Sequence, residues 1–160
     1  MTKRVLATAV MVLGLASLAL GIAFIAIGQS KENYLQDAMN QEQITLTLPE
    51  DRVAAGEFVD SAAEAQKAAD LIRSHRHEMG TYNEVLGGQQ FDPSDPKHLS
   101  YGQAINLENS LYLAVASFGL TMLAKGVGVG FVLAGIAIVI IGLLLFQRRR
   151  QDAGVAHAGE

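Results

Sequence analysis

The chain has 160 residues, half of them hydrophobic, with a formal net charge of −4 and no cysteine. Two long apolar blocks hold much of the hydrophobic content, which leaves too little chain for a large soluble core. Without cysteine, neither disulfides nor a thiolate metal site is available. The basic clusters are short flanks of the apolar blocks, a distribution that excludes nucleic-acid binding as a reading.

The charge is divided by region. Residues 29–110 carry six Lys and Arg against fourteen Asp and Glu. The ends carry Lys3, Arg4, Arg148, Arg149 and Arg150 against Asp152 and Glu160.

Residues 5–28 form an unbroken apolar run whose hydroxyls are Thr8 and Ser17. As a helix this run is roughly 36 Å long, enough to cross a ~30 Å hydrocarbon core with some tilt. Lys3 and Arg4 precede it. A cleaved signal peptide begins in the same way, with Ala26-Ile27-Gly28 as a small-residue site. The run is longer than a signal core, however, and a retained anchor is expected.

Residues 29–110 are expected to form an acidic extracytoplasmic domain. Its start is mixed polar sequence that can extend the first span as a helix. Ile44-Thr45-Leu46-Thr47-Leu48 alternates strictly, predicting a short half-buried strand ended by Pro49. Ser61-Ala62-Ala63-Glu64 is a capping-box pattern that opens a helix to about Met79, stopped by Gly80. Ala62, Ala65, Ala69 and Ile72 share one face of that helix. Gly87-Gly88 and Asp92-Pro93-Ser94-Asp95-Pro96 mark a turn-rich stretch.

The second apolar block, 111–146, is too long for one span. Residues 125–147, from Lys125 to the Arg148-Arg149-Arg150 cluster, match the bilayer and end in a positive-inside signal. Residues 111–124 are apolar on every side and are expected to extend this helix outward as a buried pillar. Residues 1–4 and 148–160 are then cytoplasmic tails of a plasma-membrane protein. The expected fold class is mainly α: a two-helix transmembrane hairpin with a small α(+short β) extracytoplasmic domain. Lys3, Arg4, Lys125, Arg148, Arg149 and Arg150 are the membrane-interface residues, with the Lys125 ammonium reaching to the headgroups.

Small residues recur every seven positions: Ala7, Gly14, Gly21 and Gly28 in the first span, and Thr121, Gly128, Gly135 and Gly142 in the second. A further row, Gly126, Gly130 and Ala134, has four-residue spacing. Close packing along such rows must replace the hydrophobic drive that lipid does not supply. The two spans are expected to pair through the heptad rows, leaving the other row for a second copy or another membrane protein.

Catalytic signals are sparse. His75, His77 and His98 with nearby carboxylates offer metal-binding chemistry, but His75 and His77 point to different helix faces and no HExxH or two-His-one-carboxylate pattern occurs. They read as solvated helix-end histidines, with His75 or His77 also favourable near a helix C-terminus. Asp92 and Asp95 lack calcium-loop spacing and read as turn formers. No nucleophile elbow, Walker loop or dinucleotide fingerprint is present. No cofactor is expected, and no enzyme activity.

Several short motifs carry a resemblance: the segment at Ile44–Leu48, Ile72-x-x-His75, Thr81-Tyr82-x-Glu84 with Leu86, Asn109-Ser110-Leu111, and Ser117-Phe118-Gly119 leading into the Gly-rich span. With them the layout resembles a family of small actinobacterial-type two-span membrane proteins of unknown role. That family often carries the label "aromatic ring-opening dioxygenase, small subunit". The resemblance implies an envelope membrane protein without assigned chemistry. True ring-opening dioxygenases resemble soluble enzymes whose iron ligands lie on a separate large subunit, and no iron-ligand pattern occurs here.

The leading functional expectation is a non-catalytic accessory or structural subunit of a plasma-membrane complex. Its partners would be the lipid bilayer and a membrane protein or a second copy. The alternative is an extracytoplasmic ligand- or cation-sensing module, although the short tails leave no room for an output domain. A dioxygenase-related protein is the weaker alternative.

Overall fold

The computed structural model describes the backbone of residues 3–157 and the side chains of residues 5–147. The order is α1 (Lys3–Glu42), α2 (Glu50–Ala54), α3 (Ala62–Glu78), α4 (Tyr82–Leu86) and α5 (Pro96–His157). The chain is mainly helical. It divides into two compact units, Met1–Ser30 with Met122–Glu160, and Lys31–Thr121.

Among the described residues, α1 and α5 are the two helices long and apolar enough to cross a membrane. In the most apolar stretch of each, 11% of the residues are buried within the protein. A core helix of a soluble domain would be mostly covered. Here Leu13, Ile22 and Leu133 each expose more than 60% of their surface, an apolar surface that calls for lipid or protein cover. α1 contains no proline and is rich in Ala, Leu and Ile, so nothing interrupts its 40 residues. α5 runs for 62 residues, and its helical assignment is continuous through 111–124 and 125–147.

In the Lys31–Thr121 unit, α1 ends where Gln43 takes a positive φ of 52°. The strand expected over Ile44–Leu48 does not form, and the described residues contain no strand. The Ile44 carbonyl accepts one backbone bond from Val59 N–H at 2.8 Å. Thr47 then turns with φ 68° and Leu48 N–H donates back to the Thr45 carbonyl, so no second rung follows. The side chains that pack inward are Ile44 and Leu48, four apart, while Leu46 faces solvent. An alternating pattern is thus satisfied by a turn that buries every other one of its apolar residues. A strand would have required a paired edge, so the small α(+short β) domain expected here is, among the described residues, a helical unit.

α2 follows Pro49 and closes on Gly56, φ 79°. There Gly56 N–H and Glu57 N–H donate to the Val53 and Arg52 carbonyls, a Schellman closure that favours glycine. α3 begins at the Ser61 cap, whose Oγ accepts the Glu64 N–H. The return arm of the capping box lands one residue early, with Glu64 Oε2 accepting Asp60 N–H at 3.3 Å. Glu64 Oε1 instead holds Arg52 at 2.6 Å. The alanine face of α3, Ala65, Ala68 and Ala69, is fully buried in a core with Met39, Val59, Leu111 and Phe118. Ala62 and Ile72 lie at its edge. Small side chains on α3 let this packing be close, and the larger residues of α5 fill the space. A second cluster joins Val85 and Leu86 of α4 to Tyr101 of α5.

α5 starts at Pro96, the favoured first helical residue. Asp95 Oδ1 caps it by accepting the Lys97 and His98 N–H groups at 2.8 and 3.3 Å. Asp92 forms the preceding turn, accepting from Ser94 N–H and Oγ at 2.8 and 2.7 Å.

Candidate helix-packing site

Within the first unit, α1 and α5 run antiparallel and touch along glycines. A Cβ placed on Gly14 would lie 2.7 Å from Val139 Cγ2 and 3.1 Å from the Gly135 carbonyl. One on Gly21 would lie 2.6 Å from the Gly128 carbonyl and 2.7 Å from the Val132 nitrogen. The relation is reciprocal. On Gly128 it would lie 2.7 Å from the Gly21 carbonyl, and on Gly135 2.9 Å from the Gly14 carbonyl. On Gly142 it would meet Met11 Cγ at 2.6 Å. Ala7 and Gly28 are buried on the same seven-residue row of α1.

The obstacles at Gly14, Gly21, Gly128 and Gly135 include main-chain atoms. They cannot swing aside as a side-chain tip can, so only hydrogen fits in these positions. Ser17 adds a polar tie, its hydroxyl donating to the Phe131 carbonyl at 2.8 Å. Such bonds contribute on average about 0.6 kcal/mol in membrane bundles. Phe24 and Phe131 stack beside it with ring centroids 6.2 Å apart.

Gly126 and Gly130 are placed differently. A Cβ on either would meet nothing within 4 Å, and Ala134, the next residue of that row, is exposed. The structure therefore brings together Gly14, Gly21, Gly128, Gly135 and Gly142 and leaves Gly126 and Gly130 facing outward. Lys125 is half-buried. Lys3, Arg4, Arg148, Arg149 and Arg150, expected at a membrane interface, lie outside the residues whose side chains are described.

The Lys31–Thr121 unit holds a polar centre that its sequence does not announce. Arg76, in the last turn of α3, forms a fork with Glu108 of α5, Nε to Oε2 at 2.6 Å and Nη2 to Oε1 at 3.2 Å. Nη1 donates to the Tyr101 hydroxyl at 2.9 Å, and the guanidinium lies over the Tyr101 ring. The two charged side chains are 13% and 8% exposed. The Glu108 hydrogen bond pushes the guanidinium further above its usual range, against the opposing effect of burial. Two bonds in one plane fix the rotation of α3 against α5, the geometry for which Arg is suited and Lys is not. Nearby, the Tyr112 hydroxyl donates to Asp70 at 2.6 Å. That bond holds the Asp70 carboxyl below its ordinary range and pushes the Tyr112 hydroxyl up.

The histidines do not converge. His75 and His77 are exposed, whereas His98 is buried, 6% exposed, and so is not the solvated helix-end residue the sequence suggests. Its Nδ1 accepts the Asp92 N–H at 3.1 Å. Among the described residues, no three His, Asp or Glu side chains are grouped as metal ligands. A groove of about 310 Å³ opens at the end of α3, lined by Ile72, His75, Arg76, Met79, Gln103 and Leu107.

Two features were open to different degrees of detection. Thr81-x-x-Glu84 forms a full reciprocal capping box on α4, and its spacing was a readable signal. The Arg76–Glu108 pair joins residues 32 apart on different helices, which no local pattern marks. No protein family, curated protein or solved structure matches this chain.

Proposed function

We propose that this chain is a non-catalytic accessory subunit of a plasma-membrane protein complex. α1 and α5 form its antiparallel membrane hairpin, both termini are cytoplasmic, and the acidic Lys31–Thr121 unit lies outside. The observation that carries this reading is the contrast between the two glycine rows. The seam glycines are filled to main-chain contact, whereas Gly126 and Gly130 are equally bare and meet nothing. Bare glycine on an exposed face of a membrane helix suits close approach by another helix. The positive flanks Lys3-Arg4 and Arg148-Arg149-Arg150 support the orientation.

The test is affinity purification of the full chain from native membranes in mild detergent, with co-purifying proteins identified and quantified. A stoichiometric membrane partner that is lost from a Gly126→Ile/Gly130→Ile variant supports the proposal. A partner-free monomer, or a partner retained undiminished by that variant, overturns it. The groove beside His75 and Arg76 favours a second reading, an extracytoplasmic ligand-sensing module. Saturable stabilisation of the outer unit by a ligand whose binding is blocked by Leu107→Trp would support that reading.

A further inference from the structure

We propose that segment 87–95 is an acid-released strap, held on the first turn of α5 by the neutral imidazole of His98. Three contacts hold it. Asp92 N–H donates to His98 Nδ1 at 3.1 Å. The Phe91 ring stacks on the imidazole with centroids 6.0 Å apart and planes 26° apart. The same ring lies against bare helix at Gly102, where a Cβ would stand 3.1 Å from Phe91 Cε2. At the other end, Gly87 and Gly88 have φ of 60° and 76° and open space where a Cβ would be. That pair is the hinge.

The chemistry of release follows from Nδ1. It accepts a hydrogen bond, so it carries a lone pair and the ring proton sits on Nε2. Protonation at Nδ1 would set two N–H donors facing each other at 3.1 Å and place a positive charge at a helix N-terminus, where the helix dipole opposes it. The charged groups around the ring act in both directions. Asp92 and Asp95 favour an imidazolium through their charge, but Asp92 Oδ1 already accepts from Ser94 and Asp95 Oδ1 from the Lys97 and His98 amides, so neither bond replaces the one lost at Nδ1. Lys97, the neighbour on α5, repels a second cation. Glu84 of α4 feels the charge of Lys97, while its carboxylate is bound to Thr81. Once His98 is protonated, the Asp92–Asp95 turn keeps its own bonds. The Asp92 amide bond is lost, which leaves the Phe91 contacts alone to hold the strap, so segment 87–95 is loosened about Gly87-Gly88.

The experiment is amide exchange by NMR on the full chain in detergent micelles at pH 8 and pH 5. After correction for intrinsic exchange, protection of the Asp92 amide is expected to fall about tenfold at pH 5, the loss of one hydrogen bond's worth of closure. His98→Gln, whose side-chain oxygen accepts without titrating, is expected to remove the fall. A His75→Gln/His77→Gln variant is expected to keep it. Equal protection at both pH values, or the same fall in a folded His98→Gln variant, overturns the proposal. Should His98→Gln not fold, carbon-13 shifts of labelled wild-type histidine decide the matter. An Nε2–H tautomer at pH 8 that converts to imidazolium as Asp92 protection falls supports the strap, and an Nδ1–H tautomer overturns it.

Discussion

Replacing Gly21 with alanine is the sharpest perturbation of the hairpin. The added methyl would sit 2.6 Å from the Gly128 carbonyl and 2.7 Å from both the nitrogen and Cγ2 of Val132. Ordinary contact begins near 3.4 Å, so the helices must part by about 0.8 Å at this level, because main-chain atoms on a helix have no rotamer to adopt. A gap of that size forfeits a quarter to a half of each neighbouring van der Waals contact, and overpacked sites of this kind cost about 1–3 kcal/mol. Gly130→Ala is the matched control, since its methyl meets nothing within 4 Å and is expected to leave the hairpin unchanged. The chain has no cysteine, so Ala9→Cys and Ile140→Cys, both at exposed positions, can carry a fluorescent donor and acceptor without background. Hairpin opening is then followed by energy transfer as SDS is added to mild-detergent micelles. The expected result is a lower SDS midpoint for Gly21→Ala and a wild-type midpoint for Gly130→Ala. Identical midpoints for both variants would refute the claim that main-chain contact at Gly21 sets the helix spacing.

Two further predictions concern the Lys31–Thr121 unit, which contains all four tyrosines, so that their near-ultraviolet circular dichroism reports on this unit alone. Glu108→Leu or Arg76→Leu strands one member of a buried pair and is expected to destabilise the unit by about 3–5 kcal/mol. The Arg76→Leu/Glu108→Leu double variant should lose less than the two singles together, and strict additivity in thermal unfolding would refute the coupling. Tyr112 and Asp70 predict a pH window. Asp70 is held low, so its contribution is present above the ordinary carboxylate range and is lost as pH falls through the lowered value. Tyr112 is held high, so its contribution is present below the ordinary phenol range and is lost as pH rises through the raised value. Tyr112→Phe is expected to flatten the stability profile at both the acid and the alkaline end, and a profile parallel to wild type would count against the bond.

The sequence discloses these features unequally, for physical reasons. In the hairpin, the seven-residue spacing of Gly14 and Gly21, and of Gly128, Gly135 and Gly142, is itself the spacing of the contacts, because main-chain approach is possible only where small residues face each other, and that requirement is written directly in the sequence. The end of α3 at Gly80 and the turns at Asp92 and Asp95 are legible because they depend on local backbone chemistry. Ile44–Leu48 misleads, since alternation records which side chains are apolar and says nothing of whether an edge is available to pair. His98 misleads as well, because its burial depends on Phe91 and the Asp92 amide folding back over it. Arg76 and Glu108 meet only through the packing of α3 on α5.

The glycine seam also works as a vernier. Sliding one helix along the other by a single residue, roughly 1.5 Å, would drive a side chain such as Leu18 or Val132 into the opposite main chain. Matching vacancies return only after seven residues, a stride of about 10.5 Å, and such a stride leaves one end of each row without its counterpart. Small piston movements are therefore closed to this hairpin. It holds one register as a strut of fixed length, and any change in that length would require the two helices first to separate.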